Sequence, residues 1–133
     1  MKQTGPSLFP YVFDASSLIK IERENRMDDL RRRHADVLIP EKVAEEVSRI
    51  PGKPLRRFVR GYPQVVSKFE PDEAIEYLKI LRQQGMDEGE SAAIAIAAHR
   101  HLPVVIEEKR GRAKAAEYGV GCFRWEQFLA GEY

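Results

Sequence analysis

Apolar positions along the chain fall into two periods: short solid runs, and longer stripes at three- and four-residue spacing. The first run lies in Phe9-Pro10-Tyr11-Val12-Phe13-Asp14-Ala15-Ser16-Ser17-Leu18. There, three consecutive aromatic or β-branched residues predict a strand buried on both faces, as inner strands of parallel sheets are. The run stops at Asp14, and Ala15 to about Arg33 reads as a helix, with Leu18, Ile19 and Glu22 spaced for turns. Val37-Leu38-Ile39 predicts a second buried strand. Pro40 then opens a helix at its first position, with Glu41 in the first turn. On that helix Val43, Val47 and Ile50 make one stripe. Glu46 lies beside the stripe, whereas Glu45 is turned about 100° away.

Pro51 to Gln64 is broken by prolines and glycines, yet Leu55, Phe58 and Val59 suggest a short helix carrying Arg56, Arg57 and Arg60. Two readings apply, a mobile cationic connection and a loop that grips substrate. Val65-Val66 predicts an edge strand. Pro71 to Gln84 reads as an amphipathic helix with Ala74, Ile75, Leu78 and Leu81 towards the core, terminated by Gly85. Ser91 to Ala98 is a small-residue helix suited to close packing on a sheet, and Glu90 shares its buried face with Ala93, Ile94 and Ala97. Leu102 to Ile106 predicts another doubly buried strand, ending in Glu107-Glu108. A basic helix follows from Lys109, then a strand at Gly119 to Phe123, and a terminal helix whose Trp125, Phe128 and Leu129 cover the core. Strands alternate with helices throughout, which predicts an α/β domain with a largely parallel sheet, residues 1–133 forming one domain.

Composition changes this picture little. The 22 Lys and Arg nearly balance the 21 Asp and Glu, so local rather than net charge must indicate a partner. The one cysteine, Cys122, excludes an internal disulfide framework and a thiolate metal cluster; it is expected as a buried structural thiol in a reducing cytoplasm. Met1 to Pro10 lacks a signal-peptide core, and no run approaches a membrane span. The run Arg31-Arg32-Arg33-His34 suits a helix carboxyl end.

The acids carry the chemistry. Asp14 follows an inner strand at the carboxyl edge, where open α/β sheets bind ligands, and it is also a favoured helix cap. Glu46 and Glu90 lie early on helices with their faces towards the sheet, and Glu107 and Glu108 follow another inner strand. Asp87 and Glu90 also have the spacing of a capping box. Carboxylates converging in a crevice cannot all stay ionised without a compensating cation. Mg²⁺ or Mn²⁺ suits an all-carboxylate donor set and promotes phosphodiester hydrolysis. The nearby Arg110, Arg112 and Lys114 are candidates for phosphate contacts, or for pairing with Glu107, Glu108 and Glu117. The chain has no phosphate-binding G-x-x-x-x-G-K loop, no G-x-G-x-x-G and no G-x-S-x-G elbow. His34, His99 and His101 lack zinc-site spacing, and the last two are expected at the surface.

Four blocks, Tyr11 to Ile19, Ile39 to Val47, Gly89 to Ala97 and Val105 to Arg112, resemble in order those of PIN-domain proteins, closest to the small single-domain prokaryotic group of VapC-like toxins. The resemblance implies a three-layer α/β/α sandwich with a mostly parallel central sheet, and a Mg²⁺- or Mn²⁺-dependent ribonuclease. It implies that Asp14, Glu46 and Glu90 are catalytic metal ligands and that Ser16 is their accompanying hydroxyl. The family usually has aspartate at the fourth acidic position, where this chain has Glu107-Glu108, one methylene longer; Glu107 follows the strand directly. An RNA substrate, a cognate antitoxin protein and a homodimer are further implications. The altered fourth position supports an alternative, a PIN-like module of impaired catalysis that binds RNA or protein.

Overall fold

The computed structural model describes residues 10–49 and 52–131. Phe9, Ile50 and the amino-terminal reading of Met1 to Phe9 therefore lie outside the described residues. The chain runs β1 (Tyr11–Phe13), α1 (Ala15–Arg23), α2 (Met27–Arg32), β2 (Val37–Pro40), α3 (Glu41–Arg49), α4 (Lys53–Gly61), β3 (Val66–Ser67) and α5 (Pro71–Leu81). It continues with α6 (Glu88–Arg100), β4 (Val104–Val105), α7 (Lys109–Glu117), β5 (Cys122–Phe123) and α8 (Trp125–Leu129). All strand pairs are parallel, in the order β3-β2-β1-β4-β5. The chain thus winds outward from β1 in one direction, then returns to its other side. The resulting switch point lies at the carboxyl ends of β1 and β4, where such sheets open a crevice.

Alternation along the strands divides the core into two apolar layers. Tyr11, Phe13, Ile39 and Val105 face one side, packed with Leu18, Ile21, Val43, Leu55, Phe58 and Phe128. Val12, Val104 and Ile106 face the other, against Ile80, Ala115 and the run Ala92 to Ala97. Small side chains on α6 let its backbone approach the sheet, which is why every residue from Gly89 to Ala97 is buried. The arrangement is a three-layer α/β/α sandwich. Among the described residues no helix is long and apolar enough to cross a membrane.

Three local expectations are corrected. The helix expected from Ala15 to Arg33 is two helices, because Asn25 adopts a left-handed conformation (φ 58°) between α1 and α2; asparagine tolerates that region better than most residues. Pro40 closes β2, paired in register with Ser67, and α3 begins one residue later. On α5 the buried side chains are Glu73, Tyr77 and Ile80. Ile75 and Leu78 are 54% and 50% exposed. The helix is rotated by one residue from its apolar stripe, because Arg100 draws Glu73 inward (Nε to Oε2 2.7 Å) and Tyr77 packs on Phe69. The helix also ends at Leu81, four residues before the Gly85 expected to terminate it.

Two strands are shorter than expected: Leu102 to Ile106 is paired only at Val104–Val105, and Gly119 to Phe123 only at Cys122–Phe123. Val66 lies on the edge strand, His99 and His101 are exposed, and Arg31, Arg32 and Arg33 pair with Asp28, Asp29 and Asp36. The broken segment carries an ordered helix, α4, whose amino end is held by Glu22 through the Gly52 N–H (3.1 Å) and Leu55 N–H (2.9 Å). Cys122, expected to be buried, is only half-buried because its strand β5 lies at the sheet edge; burial still pushes its thiol up to about 11.

Candidate metal centre

Asp14 ends β1 and caps α1, so both readings of this residue hold. Its Oδ1 accepts the Ser17 N–H at 3.2 Å, and the Ser16 hydroxyl lies 2.8 Å from each carboxylate oxygen. Ser16 Oγ in turn accepts the Glu107 N–H at 3.3 Å, tying the end of β1 to the segment after β4. Ser17 Oγ donates to the Val105 carbonyl at 2.8 Å. With only 2% of Asp14 exposed, the carboxylate sits at the floor of the crevice.

Glu90 reaches the same place from α6. Asp87 caps that helix by accepting the Glu90 N–H at 2.8 Å. Only this half of the capping box forms: the Glu90 carboxylate turns inward and is buried. Its Oε1 receives Arg110 Nη2 at 3.3 Å, while the buried Oε2 has no hydrogen-bond partner. Glu46, half-buried on α3, packs over Gly89, where a Cβ would stand 3.1 Å from its Oε1. Glu45 on the same helix is exposed.

The two glutamates after β4 part company. Glu107 turns to the last helix, its Oε2 accepting the Trp125 N–H at 2.7 Å and its Oε1 the Arg124 Nε–H at 3.3 Å. Glu108 instead faces the acids. Oxygens of Asp87, Glu90 and Glu108 all lie within 4.8 Å of one another. Together with Asp14, Ser16 and Glu46 these three line a cavity of about 90 Å³. Asp87 is the residue that sequence reasoning left to capping alone. The signal was available, since Asp87 and Glu90 stand one turn apart and share a helix face.

Burial and neighbouring negative charge raise the carboxyls of Asp14, Glu90 and Glu46. Burial pushes Asp14 up to about 7 against the hydrogen bonds from Ser16 and Ser17, with Glu90 adding to the rise. Burial likewise takes Glu90 to about 7, helped by the charges of Asp87 and Glu108 and opposed by Arg110. Glu46 is raised by burial and then by Asp87. The donor set is all oxygen, with an unpartnered buried carboxylate oxygen among its atoms, and this fits a hard divalent cation.

The three basic candidates are less free than the acids. Arg110 pairs with Glu90 and, at 3.4 Å, with Glu108 Oε2. Arg112 donates to the Glu107 carbonyl. Lys114 donates to Gln83 at 2.6 Å and Glu117 at 2.7 Å.

Comparison with known proteins bears on the fold and the family. No curated protein matches the chain. Among solved structures, the crystal structure of PAE2754 from Pyrobaculum aerophilum superposes with a TM-score of 0.62 at 16% identity, covering 92% of this chain and 95% of that one. At that identity the likeness is one of fold. A family model, DUF3368, described as a PIN domain, matches residues 10–124. With the match spanning the whole sheet and every acid of the cavity, the chain belongs to the PIN-domain family.

Proposed function

We propose that the protein is a Mg²⁺- or Mn²⁺-dependent endoribonuclease that hydrolyses RNA phosphodiester bonds, with Asp14, Glu46, Glu90 and Glu108 as metal ligands. Asp87 joins them by position, and Ser16 keeps the Asp14 carboxylate oriented. The supporting observation is the burial of Asp14 and Glu90 in one cavity with three further acids, Glu90 being paired only with the half-exposed Arg110 guanidinium among the described residues. That excess of negative charge is costly unless a cation completes it. A divalent ion supplies activation of water and neutralisation of charge on the leaving oxygen. The side chains supply its position, and the apolar layers behind Asp14 and Glu90 keep bulk water from the rear of the site.

Arg110, Arg112 and Lys114 remain proposed phosphate contacts, on the view that substrate exchanges for their internal partners. The role as toxin of a toxin–antitoxin pair, the cytoplasmic setting, the antitoxin and the homodimer rest on the resemblance of the four sequence blocks. Exposed Ile75 and Leu78 offer an apolar contact for such a dimer.

A second reading, a PIN-like module with impaired catalysis, is favoured by Arg110, whose guanidinium already bridges Glu90 and Glu108. Incubating purified protein with an RNA panel in Mg²⁺, Mn²⁺ or chelator, beside Asp14→Asn, separates the two. Metal-dependent cleavage lost in the variant supports the nuclease. Absence of cleavage, together with no Mn²⁺-induced thermal stabilisation, supports the module.

A further inference from the structure

The acidic cavity, at about 90 Å³, has room for roughly three waters. It does not admit a nucleotide, so a polymer must lie outside it and offer only a phosphate inward. A cleft of about 370 Å³ adjoins it, sharing Ser16, Ile19 and Glu108 with the acidic cavity. Its other lining residues are Lys20, Arg23, Glu107 and Arg124.

Lys20 and Arg23 follow Ser16 at the fourth and seventh positions on α1, so they continue the same helix face away from the acids. Both are exposed, and neither pairs with any described acid. This sets them apart from Arg110, Arg112 and Lys114, which all have partners within the chain. Cations also suit the carboxyl end of α1, but that preference would be met on any face of the last turn.

We propose that this cleft is the track for the backbone of single-stranded RNA, with Lys20 and Arg23 holding phosphates next to the one presented to the acids. The inference rests on the nucleic-acid reading above and adds residues to it. A cationic groove following one backbone is the usual device for a single strand.

The test uses a short single-stranded 2′-O-methyl RNA oligonucleotide, which resists cleavage, with binding followed by fluorescence anisotropy in chelator. Lys20→Glu/Arg23→Glu is expected to weaken binding about tenfold or more. The neutral pair Lys20→Gln/Arg23→Gln is expected to lower the salt slope by about 1.4, roughly 0.7 per lost phosphate contact. Arg57→Glu/Arg60→Glu, an equal charge change on the basic face of α4, is expected to have much less effect. Unchanged affinity in the first pair, or an equal loss in the α4 pair, overturns the assignment. Displacement of the oligonucleotide by poly-glutamate at lower concentration than by unlabelled RNA also overturns it, in favour of an acidic protein segment. Because no metal is present, these outcomes concern the cleft alone. Retained binding of an unmodified RNA oligonucleotide of the same sequence without its cleavage in Mn²⁺ would instead count against the nuclease.

Discussion

Gly111 lies directly against Glu90: a Cβ at position 111 would stand 2.7 Å from the Glu90 Oε2 and 2.8 Å from Ile106 Cγ2. Glycine on the first turn of α7 therefore makes the space in which the buried carboxylate sits. Gly111→Ala is expected to push Glu90 out of its position, since the fully buried Ile106 on the other side cannot retreat. Helix propensity favours alanine by about 1 kcal/mol, whereas overpacking costs typically about 1–3 kcal/mol. The net expectation is a modest loss of stability and a much larger loss of Mn²⁺-induced thermal stabilisation. A variant that keeps the full metal response would show that Glu90 is not a ligand in that position.

The pH response of the metal-free protein has a definite sign. The Asp14 carboxyl rises from 3.8 to about 7 and that of Glu90 from 4.5 to about 7, each chiefly through burial. Between those values the folded chain holds protons that the unfolded chain has released, so stability falls as pH rises through that interval and levels off above about 7. Thermal melts in chelator are expected to show the melting temperature dropping between about pH 5 and about pH 7. Asp14→Asn is expected to flatten that slope and to melt higher than the native chain at neutral pH. Saturating Mn²⁺ is expected to reverse the native trend. A melting temperature in chelator that climbs over the interval would contradict the charge argument.

Glu107 and Glu108 have opposite duties, and substitution should separate them. Glu107→Gln weakens the acceptor for the Trp125 N–H and the partner of Arg124, a capping loss of about 1 kcal/mol. Mn²⁺ affinity is expected to change little. Glu108→Gln removes an exposed acid within 4.8 Å of Asp87 and Glu90. Its stability without metal is expected to be unchanged or higher, and its Mn²⁺ affinity lower by about tenfold or more. Denaturant titration and calorimetry on the two variants check both halves. The reverse pattern would make Glu107 the ligand.

The placement of several of these side chains was legible from local pattern. Tyr11-Val12-Phe13 had to be an inner strand, which put Asp14 at the crevice, and helical phase alone set Glu46 inward and Glu45 outward. The choice between Glu107 and Glu108 was not legible, because it depends on the amide of Trp125, eighteen residues later, arriving to take one of them. The phase of α5 failed for a similar reason. Its apolar stripe, Ala74, Ile75, Leu78 and Leu81, was a sound local signal, but a long-range partner for Glu73 outweighed it.

That ion pair, Glu73 with Arg100, carries the last prediction. Arg100 spans three elements, with Nε 2.7 Å from Glu73 Oε2, Nη2 2.9 Å from Oε1, Nη1 3.0 Å from Ser67 Oγ and Nη2 3.1 Å from the Lys68 carbonyl. Burial pushes the Glu73 carboxyl up, but the hydrogen bonds from Arg100 and the Glu70 N–H outweigh it and hold it below the usual range. Its contribution to stability is therefore present above the unfolded value and lost as pH falls through the lower folded one. Arg100→Met leaves a carboxylate that is 2% exposed without its cation, a defect of about 3–5 kcal/mol. Adding Glu73→Leu removes the stranded charge and is expected to recover most of that loss, since apolar pairs often replace buried ion pairs without penalty. Urea unfolding of the single and double variants at neutral pH measures both. If the double variant were no more stable than Arg100→Met, the cost would lie in the lost bridge to Ser67 and Lys68, not in the buried charge.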